Sequence, residues 1–366
     1  MKVHVVDPSA FTRPYDHALC TGLARAGAEV ELVTSAFAYE QAPDPDGYAV
    51  RQLFYRHATG DAGSRLRRAT KLLEHVPDML RYRVVARGAD VVHFQWLDVQ
   101  WLDGFLLPDR PLVLTAHDLL PREGRAGQAR AQRRLYDQVD AVVVHSDHGR
   151  RQLVDGLGVE PAKVHVIAHG AFEHLTRLPA KASLPAELQS VTAPVVLFFG
   201  LLRPYKGVEV LLKAWQGMDG AELWIVGGPR MSLAPLQRQA PDGVRFVPRF
   251  VSDAELATFF CRADVVVLPY SRSERFDQSG VLATALAFGK AIVLTDVGSF
   301  GEVAAAGAAR LVMPDDPLAL RRALAELLGD RGARERLGAA AADAAAGPYS
   351  WDAAAGKTLA LYRSLV

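Results

Sequence analysis

The sequence predicts an α/β protein with two domains, each built on a doubly wound parallel sheet. Short apolar runs rich in β-branched residues alternate with amphipathic segments along the chain, which is typical of parallel sheets covered by helices. A length of 366 residues favours two domains of ordinary size. Hydrophobic residues make up 50% of the chain and charged residues 23%, so each domain has enough apolar material for a core.

Composition excludes several classes of function and location. A net charge of +1 gives no global field for nucleic acid, so we expect no nucleic-acid partner and only a local anion site. Cys20 and Cys261 lie too far apart in sequence to suggest a disulfide framework or a metal knuckle, which fits a reducing compartment. No apolar run approaches the roughly 20 residues of a membrane helix, and the N-terminal run is too short for a signal peptide. We therefore expect a cytoplasmic protein.

The first elements form a βαβ unit. Residues 3–6 predict a strand, and a helix follows that runs to about Ala26 before Gly27 stops it. Residues 29–34 (EVELVT) predict the second strand. Strand, helix and strand in this order indicate a parallel sheet.

A basic segment follows at residues 63–88. It predicts a helical region interrupted at Pro77, with Glu74 and Asp78 diluting its charge. Two interpretations apply: a surface for anionic lipid or for a lipid-phosphate acceptor, or simply a solvated helix face. The segment's cations are Arg65, Arg67, Arg68, Lys71, Arg81, Arg83 and Arg87.

Four more strands complete the first sheet, at residues 90–94, 111–115, 141–144 and 164–167. The strand at 111–115 ends in His117 and Asp118, and a histidine at the carboxyl end of a strand is a candidate site residue. Ser146 predicts the N-cap of a helix to about Leu157. His169 follows the last strand, and its pattern fits a ligand contact and a packing role equally well.

The domain boundaries follow from a proline-rich stretch. Residues 174–194 hold three prolines and show no strong periodicity, which predicts a linker that we set at 179–194. The first domain then covers 1–178 and the second covers 195–349. Residues 350–366 predict a terminal helix that returns to the first domain, anchored by Trp351.

The most informative stretch is residues 195–215, VVLFFGLLRPYKGVEVLLKAW. It predicts a buried strand that ends at Gly200, a loop with Arg203 and Lys206, and a helix from Gly207. Ligands bind at the carboxyl ends of strands in such sheets, and both cations suit phosphate oxygens. A pair of solvated loop cations is the alternative.

A second phosphate device follows the strand at residues 265–268. The next helix starts near Ser279 and Gly280, and a helix N-terminus offers unpaired amides and a positive dipole. Gly280 allows an anion to approach the backbone of Val281 and Leu282. Because loop cations and a helix N-terminus occur in one predicted domain, we expect them to hold one diphosphate.

The other elements of the second half are ordinary. Residues 222–226 and 244–250 predict strands, and Ser252 with Glu255 predicts a capping box. Residues 315–346 predict two surface helices.

The stretch FGLLRPYKGVEVLLKAW resembles the donor-site signature of retaining glycosyltransferases of family 4, which have the GT-B fold of two Rossmann-like domains facing across a cleft. The resemblance covers essentially the whole chain. It implies transfer of a hexosyl group from a nucleotide sugar, UDP- or GDP-linked, to an acceptor hydroxyl with retention of configuration. It implies neither a metal nor a bound cofactor, because the leaving diphosphate acts as the base.

The resemblance assigns roles to individual residues. The motif TAHD implies that His117 contacts the donor sugar. The motif FGLLRPYKG implies that Arg203 and Lys206 are the cations that bind the diphosphate. Phe250 corresponds to a segment that meets the nucleotide base. Asp16 and His17 stand near the acceptor mouth, although Asp16 fits a helix cap as well. The implied donor-binding residues are Gly200, Phe250, Glu274, Asp277, Ser279, Gly280, Val281, Leu282 and Thr284.

The sequence departs from the family pattern in two places. The first loop reads PSAFTRPYDHAL and lacks the usual paired glycines. Two glutamates separated by seven residues are also missing, since Phe276 and Thr284 stand at their positions. Glu274 or Asp277 is a candidate for the first carboxylate, and Glu302 for the second, with helix capping as its alternative role.

Several functions remain open at this point. The acceptor is a small molecule, a glycan or a lipid-linked compound, with weak peripheral membrane contact as a further interpretation of the basic segment. A UDP-sugar 2-epimerase, a phosphorylase and a non-catalytic nucleotide-sugar-binding subunit are the alternatives to a transferase.

Overall fold

A computed structural model describes residues 1–37, 43–59, 64–97, 99–119, 127–178, 182–272 and 278–366. These residues divide into two compact units, of which the first comprises 1–170 and 351–366 and the second comprises 171–350. The division falls after Gly170, whereas the sequence places the end of the first domain at 178. No helix among the described residues has both the length and the hydropathy needed to cross a bilayer.

Each unit contains one sheet, and every strand pairing in both sheets is parallel. The first sheet has the order β3-β2-β1-β4-β5-β6-β7 and comprises β1 (Lys2–Asp7), β2 (Glu29–Thr34), β3 (Ala49–Gln52), β4 (Val91–Phe94), β5 (Leu112–Thr115), β6 (Ala141–Val144) and β7 (Val164–Val166). The second has the order β10-β9-β8-β11-β12-β13 and comprises β8 (Val195–Phe199), β9 (Glu222–Val226), β10 (Val244–Val247), β11 (Val265–Leu268), β12 (Ala291–Thr295) and β13 (Arg310–Val312). The predicted fold class, two parallel-sheet α/β domains, is confirmed.

Fifteen α-helices lie within the described ranges. They are α1 (Arg13–Arg25), α2 (Arg65–Val85), α3 (Gln100–Asp103), α4 (Gln128–Gln138), α5 (Asp147–Arg151), α6 (Glu173–Thr176), α7 (Ala186–Gln189), α8 (Val208–Trp215), α9 (Ala234–Arg238), α10 (Asp253–Arg262), α11 (Gly280–Ala287), α12 (Phe300–Ala305), α13 (Pro317–Gly329), α14 (Arg331–Ala346) and α15 (Trp351–Leu365).

The alternation of side chains along β8 shows why its sheet is covered on both faces. Val195 and Leu197 pack into one hydrophobic cluster, whereas Val196 and Phe198 pack into a second cluster on the opposite face. All four side chains are fully buried. Burying a side chain of this size stabilises the fold by about 1.5–3 kcal/mol. A strand with two apolar faces therefore requires helices on both sides.

Several helix boundaries follow from capping. The Ser252 side chain accepts the backbone N–H of Glu255, and the Glu255 carboxylate accepts that of Ser252, so the predicted capping box is confirmed. Ser146 Oγ accepts the N–H of Gly149 at 2.8 Å, which confirms the predicted N-cap. Each such cap contributes about 1 kcal/mol to the stability of its helix.

The expectation that Pro77 interrupts the basic segment is wrong. Helix α2 is continuous over 21 residues with Pro77 inside it. Pro77 lies on the exposed side of the helix, so water can bond the carbonyl that the missing N–H leaves unpaired. Asp78 is buried and accepts the N–H of Tyr55 at 2.8 Å, and its Oδ1 lies 2.8 Å from a guanidinium nitrogen of exposed Arg81, so this carboxylate does offset part of the charge of the segment.

The last helix completes the first unit. The hydroxyl of Tyr362 on α15 lies 2.5 Å from Nδ1 of His93 on β4, and both residues are buried. Gly170 lies against the Trp351 ring so closely that a Cβ there would be 2.4 Å from the indole. Residues 351–366 therefore belong to the core of the unit that residues 1–170 build.

Candidate functional site

The second unit brings a loop cation and a helix N-terminus together at Gly200. This glycine follows β8 and has a φ of +107°, a backbone conformation that residues with a Cβ rarely adopt. A Cβ built there would lie 3.0 Å from Lys206 Nζ and 3.1 Å from Cγ2 of Val281. The ammonium of the loop and the first turn of α11 therefore flank the same stretch of backbone.

Tyr270, at the end of β11, contacts both Lys206 and the residue that precedes α11. Lys206 Nζ lies 5.1 Å from the centroid of the Tyr270 ring, within range of a cation–π attraction. The Tyr270 hydroxyl lies 3.1 Å from Oγ of Ser279, the residue before α11. The sequence identified Tyr270 only as the end of a strand. Its position at the carboxyl end of a parallel strand was the one feature that could have indicated a site residue. We call Gly200, Lys206, Tyr270, Ser279 and Val281 the Gly200 cluster.

The conformation of the loop depends on Gly207. Its φ is +71°, and a Cβ there would lie 1.8 Å from the carbonyl oxygen of Pro269. Only glycine allows the loop after β8 to pass this close to the chain that leaves β11. As a result Lys206 is held on a single 3₁₀ turn and is only 7% exposed, which is unusual for lysine.

The start of α11 has the features of an anion site. Ser279 makes no side-chain capping bond to the helix, because its hydroxyl is directed to Tyr270. The amides of Gly280, Val281 and Leu282 have no acceptor within the helix, and the helix dipole is positive at this end. Gly280 is exposed, so an anion can reach these amides.

The remaining predicted donor residues fall into three groups. Arg203 is half-buried on the same loop as Lys206. Phe250 is exposed and lies close to the turn after β9, since a Cβ built at Gly228 would be 4.0 Å from the Phe250 backbone nitrogen. Thr284 is buried and donates its hydroxyl to the Gly280 carbonyl at 2.8 Å, so that proton is already bonded within the helix. Glu274 and Asp277 lie outside the described residues.

The first unit contains a cavity of about 550 Å³ at the carboxyl end of β5, which we call the β5 cavity. Aromatic rings, polar groups and the cations of α2 share its wall. The lining includes Ser9, Phe11, Tyr55, Arg67, Arg68, Lys71, Leu72, His75, Gln95, Trp96, Thr115, His117 and Asp118.

His117 is fixed in the wall of this cavity by ring contacts. It stacks on Trp96 with centroids 5.0 Å apart and an interplanar angle of 18°. Tyr15 meets it edge-on at 4.7 Å. Burial, followed by the charges of neighbouring histidines, lowers the pKa of His117 well below its usual value, so the ring is neutral at physiological pH.

A chain of hydrogen bonds determines the tautomer of His117. His145 Nδ1 lies 3.0 Å from the Ile167 carbonyl, which can only accept, so Nδ1 carries the hydrogen. Burial lowers the pKa of His145 to about 4, so its Nε2 is an acceptor for His117 Nδ1 at 3.3 Å. His117 Nε2 then keeps its lone pair.

The partner of His117 Nε2 is the side-chain amide of Gln95. This Nε2 lies 3.1 Å from Gln95 Oε1, and two acceptors cannot share a hydrogen bond. We therefore assign the amide with its nitrogen toward His117, which also gives a partner to an otherwise unpartnered buried nitrogen. A contact between His117 and a donor sugar stays a prediction.

The structure also shows a polar triad that the sequence did not predict, and two of its members, Tyr55 and His75, line the β5 cavity. The Tyr55 hydroxyl lies 2.7 Å from His75 Nδ1, and His75 Nε2 lies 2.5 Å from Asp103 Oδ1. Tyr55 has a φ of +51°, a strained value for an aromatic residue. The three residues are far apart in sequence, so no local pattern could predict that they meet.

Asp16 and His17 do not appear among the described residues that line the β5 cavity. His17 Nδ1 lies 2.9 Å from the Tyr48 hydroxyl. Asp16 is fully buried on α1, whose N-cap is Thr12, so Asp16 is not the cap either. His169 donates Nδ1–H to the Gly170 carbonyl at 2.8 Å and contacts the Tyr15 ring at 5.0 Å.

Asp7 and Asp16 form a buried carboxyl pair under the first loop. Asp7 Oδ2 accepts the N–H of Thr12 at 3.1 Å, and Ala10 takes the positive φ of 52° that a glycine would provide in this loop. Burial raises the pKa of Asp7, and burial together with the Asp7 charge raises the pKa of Asp16 well above its usual value. One proton shared between the two carboxyls satisfies both.

Comparison with known proteins identifies two family models that together span most of the chain. The model "Glycosyltransferase Family 4" matches residues 15–171, and the model "Glycosyl transferases group 1" matches residues 193–330. A D-inositol 3-phosphate glycosyltransferase of Kineococcus radiotolerans is 32% identical over 95% of this chain and 89% of its own length. A protein of the same name from Mycobacterium bovis is 30% identical over 94% of this chain and 76% of its own.

Solved structures share the fold at lower identity. The Anabaena protein HepE, in complex with UDP and glucose, is 18% identical and has a TM-score of 0.77, with both chains covered completely. The sucrose-phosphate synthase of Thermosynechococcus elongatus is 22% identical with a TM-score of 0.74, over 100% of this chain and 99% of that one.

The carboxyl pair predicts how stability depends on pH. An acid with a raised pKa in the fold holds a proton that the unfolded chain releases above about pH 3.9, so stability falls as the pH rises from there through the folded pKa. Asp16→Asn removes this loss, and we expect a higher Tm at neutral pH and a smaller decrease in Tm between pH 4 and pH 8. Thermal melts across this range measure the effect.

Asp109→Asn, at an exposed loop position of the same unit, is the matched control and should leave the pH profile unchanged. An Asp16→Asn protein that is destabilised at every pH with the slope of the parent would show that Asp16 is ionised in the fold.

Proposed function

We propose, since this chain belongs to glycosyltransferase family 4, that it transfers a sugar from a nucleotide sugar to an acceptor hydroxyl with retention of the anomeric configuration. The chain is a glycosyltransferase that acts on a nucleotide sugar. HepE has been solved with UDP and with UDP-glucose, which supports a UDP-linked donor.

The Gly200 cluster is the observation that carries the proposal. A nucleoside diphosphate leaving group needs its charge neutralised, and an ammonium beside the amides of a helix N-terminus supplies this charge without rearrangement. A Cβ built at Gly200 would lie 3.0 Å from Lys206 Nζ and 3.1 Å from Cγ2 of Val281 in the first turn of α11, so the two groups flank the same position. Arg203 on the same loop adds a second cation for the diphosphate.

The proposed reaction uses the leaving diphosphate as the base. The bond between the anomeric carbon and the diphosphate oxygen breaks while the acceptor oxygen bonds to that carbon from the same face. The acceptor proton passes to the diphosphate. In this scheme Lys206 and the amides of Gly280 and Val281 stabilise the charge that develops on the departing group. We propose a cytoplasmic location and no metal requirement for this reaction.

For the acceptor we propose a compound that carries an anionic group, such as a phosphate. The β5 cavity has Arg67, Arg68 and Lys71 in its wall, and cations of this kind recognise phosphate. Lys71 Nζ lies 4.8 Å from the centroid of the Tyr55 ring, which holds the ammonium toward the cavity. The relatives from K. radiotolerans and M. bovis are named for a phosphorylated acceptor, D-inositol 3-phosphate.

A donor screen tests the function directly. Thermal shift with a panel of nucleotide sugars identifies the donor, because a bound ligand stabilises the fold by mass action. NMR of the product made with an added acceptor then reports the anomeric configuration. Release of a C2-inverted sugar without acceptor would identify an epimerase, and donor binding without turnover with any acceptor would identify a binding subunit.

Replacing the diphosphate cations should reduce turnover without unfolding the protein. We expect Lys206→Ala to lower kcat/KM by about 10²–10³-fold, the usual cost of losing one group that stabilises developing charge. Arg203→Ala should have a smaller effect in the same direction, since its side chain is less buried. Steady-state kinetics with the donor at varied concentration measure both.

Lys213→Ala is the matched control, because Lys213 lies exposed on α8, the helix that follows the loop. Normal kinetics in both Lys206→Ala and Arg203→Ala would refute the diphosphate assignment.

Removing divalent metals should leave the enzyme active. The positive charge for the diphosphate comes from Lys206, Arg203 and the amides of α11, so we expect the same rate in EDTA as in MgCl₂. A rate that EDTA abolishes and that Mg²⁺ or Mn²⁺ restores would contradict metal independence.

The acceptor proposal predicts selectivity for a phosphorylated compound. Turnover is compared for acceptor pairs that differ by one phosphate, beginning with D-inositol 3-phosphate and inositol. Lys71→Gln should raise the KM of the phosphorylated acceptor about tenfold, as expected for one charged hydrogen bond, and leave the KM of the donor unchanged. Arg130→Gln, an exposed cation on α4 outside the cavity lining, is the control. Equal turnover of both members of every pair would refute the proposal.

A further inference from the structure

The outward side of α2 has a composition that a helix facing water does not normally have. Five large apolar side chains of this helix are between 48% and 79% exposed, namely Leu66, Leu72, Leu73, Leu80 and Val84. The side that packs on the unit instead buries polar His75 and Asp78 beside Met79 and Tyr82. Asp103 and Tyr55 hold the two polar groups, so the helix packs through satisfied polar contacts and presents leucines outward.

Four of these apolar residues form one line along the helix. Leu66, Leu73, Leu80 and Val84 are separated by seven, seven and four residues, which places them within about 40° of one another at 100° per residue. The line extends over roughly 27 Å at 1.5 Å per residue. Exposed apolar side chains that occur singly are ordinary, but a continuous line marks an interaction surface.

The charges beside this line all have one sign. The structure describes α2 over its full length, and every exposed charged residue on it is an arginine, at positions Arg65, Arg68, Arg81 and Arg83. Of the two acids of the helix, Glu74 is half-buried, and buried Asp78 pairs with Arg81 at 2.8 Å, so the uncompensated charge beside the line comes from Arg65 and Arg83. Arg65 and Arg83 lie about 85° from the line, whereas Arg68 lies about 145° from it and lines the β5 cavity. We call the four apolar residues together with Arg65 and Arg83 the α2 outer face.

Two exposed aromatic residues belong to the segment that contacts the inward side of α2. The bond between His75 and Asp103 ties α3 to the middle of α2. Trp101 on α3 and Phe105 just after it are 69% and 77% exposed. Tryptophan is favoured at the boundary between lipid and water, where its ring contacts acyl chains and its N–H stays hydrated.

A second copy of this chain is a poor partner for the α2 outer face. A two-fold interface places a patch against itself, so the arginines of one copy would lie against those of the other with no exposed acid on the helix to compensate. An anionic lipid surface has the opposite charge and accepts apolar side chains between its head groups.

We propose that the α2 outer face docks this enzyme on an anionic lipid bilayer, with the apolar line inserted at the level of the head groups. Leu72 and Arg68 of α2 also line the β5 cavity, so the cavity opens beside the docked face. The acceptor is then taken from the membrane surface. This last point rests on the proposed function, whereas the docking itself does not.

Vesicle flotation of the 366-residue chain tests the docking. The wild type should float with vesicles of phosphatidylcholine and phosphatidylglycerol, should not float with phosphatidylcholine alone, and should lose binding as salt is raised. Arg65→Gln with Arg83→Gln should weaken binding roughly 30-fold, from about fivefold per cation near an anionic surface. Leu73→Ser with Leu80→Ser should also reduce flotation at least tenfold.

The control is a matched pair on the second unit, Leu318→Ser with Arg322→Gln, which removes an exposed leucine and an exposed arginine of α13 and should float like the wild type. All variants change exposed positions, so circular dichroism and thermal melts should match the parent. Turnover of a soluble acceptor should also be unchanged in the leucine variant, which separates a failure of docking from a failure of the proposed reaction.

Three results would overturn the docking proposal. They are absence of flotation of the wild type with anionic vesicles, equal flotation of the α2 variants and the wild type, and a solution mass of two chains that falls to one in the leucine variant. The last result would assign the α2 outer face to an interface between copies.

Discussion

The close approach of three chain segments at Gly200 is the constraint on which the donor side depends. The end of β8, the loop that carries Lys206 and the first turn of α11 converge there, and the φ of +107° at this position favours a residue without a Cβ. Gly207 passes the Pro269 carbonyl in a similar way. Two positive-φ glycines and the buried Tyr270 hydroxyl thus hold a lysine and a helix N-terminus in place before any anion arrives, and such preorganisation makes charge stabilisation effective.

The first unit follows a different electrostatic principle, since burial keeps His117 and His145 neutral. The pKa values of His117 and His145 are both lowered, chiefly by burial, and a one-way chain of hydrogen bonds from Gln95 through His117 and His145 to the Ile167 carbonyl fixes each tautomer. A neutral ring with a defined lone pair can accept a hydrogen bond but carries no charge. The cations in the wall of the β5 cavity, Arg67, Arg68 and Lys71, are instead on α2.

Much of this was accessible from the sequence, and the omissions have a common cause. Strand β8, helix α8 and the start of α11 follow from periodicity, glycine placement and capping, all of which are local signals. The same signals indicated Lys206 and Gly280. Contacts between distant residues leave no local pattern, so the Tyr55–His75–Asp103 triad and the Asp7–Asp16 pair were not predicted. Pro77 was misjudged because its effect depends on whether water reaches the freed carbonyl, which is a property of the folded surface.

The position of α15 has a consequence for biosynthesis. The unit that begins at residue 1 is completed only by residues 351–366, which supply Trp351 against Gly170 and Tyr362 against His93. The ribosome must therefore make the whole second unit, residues 171–350, before the first can bury these partners. During translation the later unit can finish folding while the earlier one still waits, so order of synthesis and order of completion are reversed.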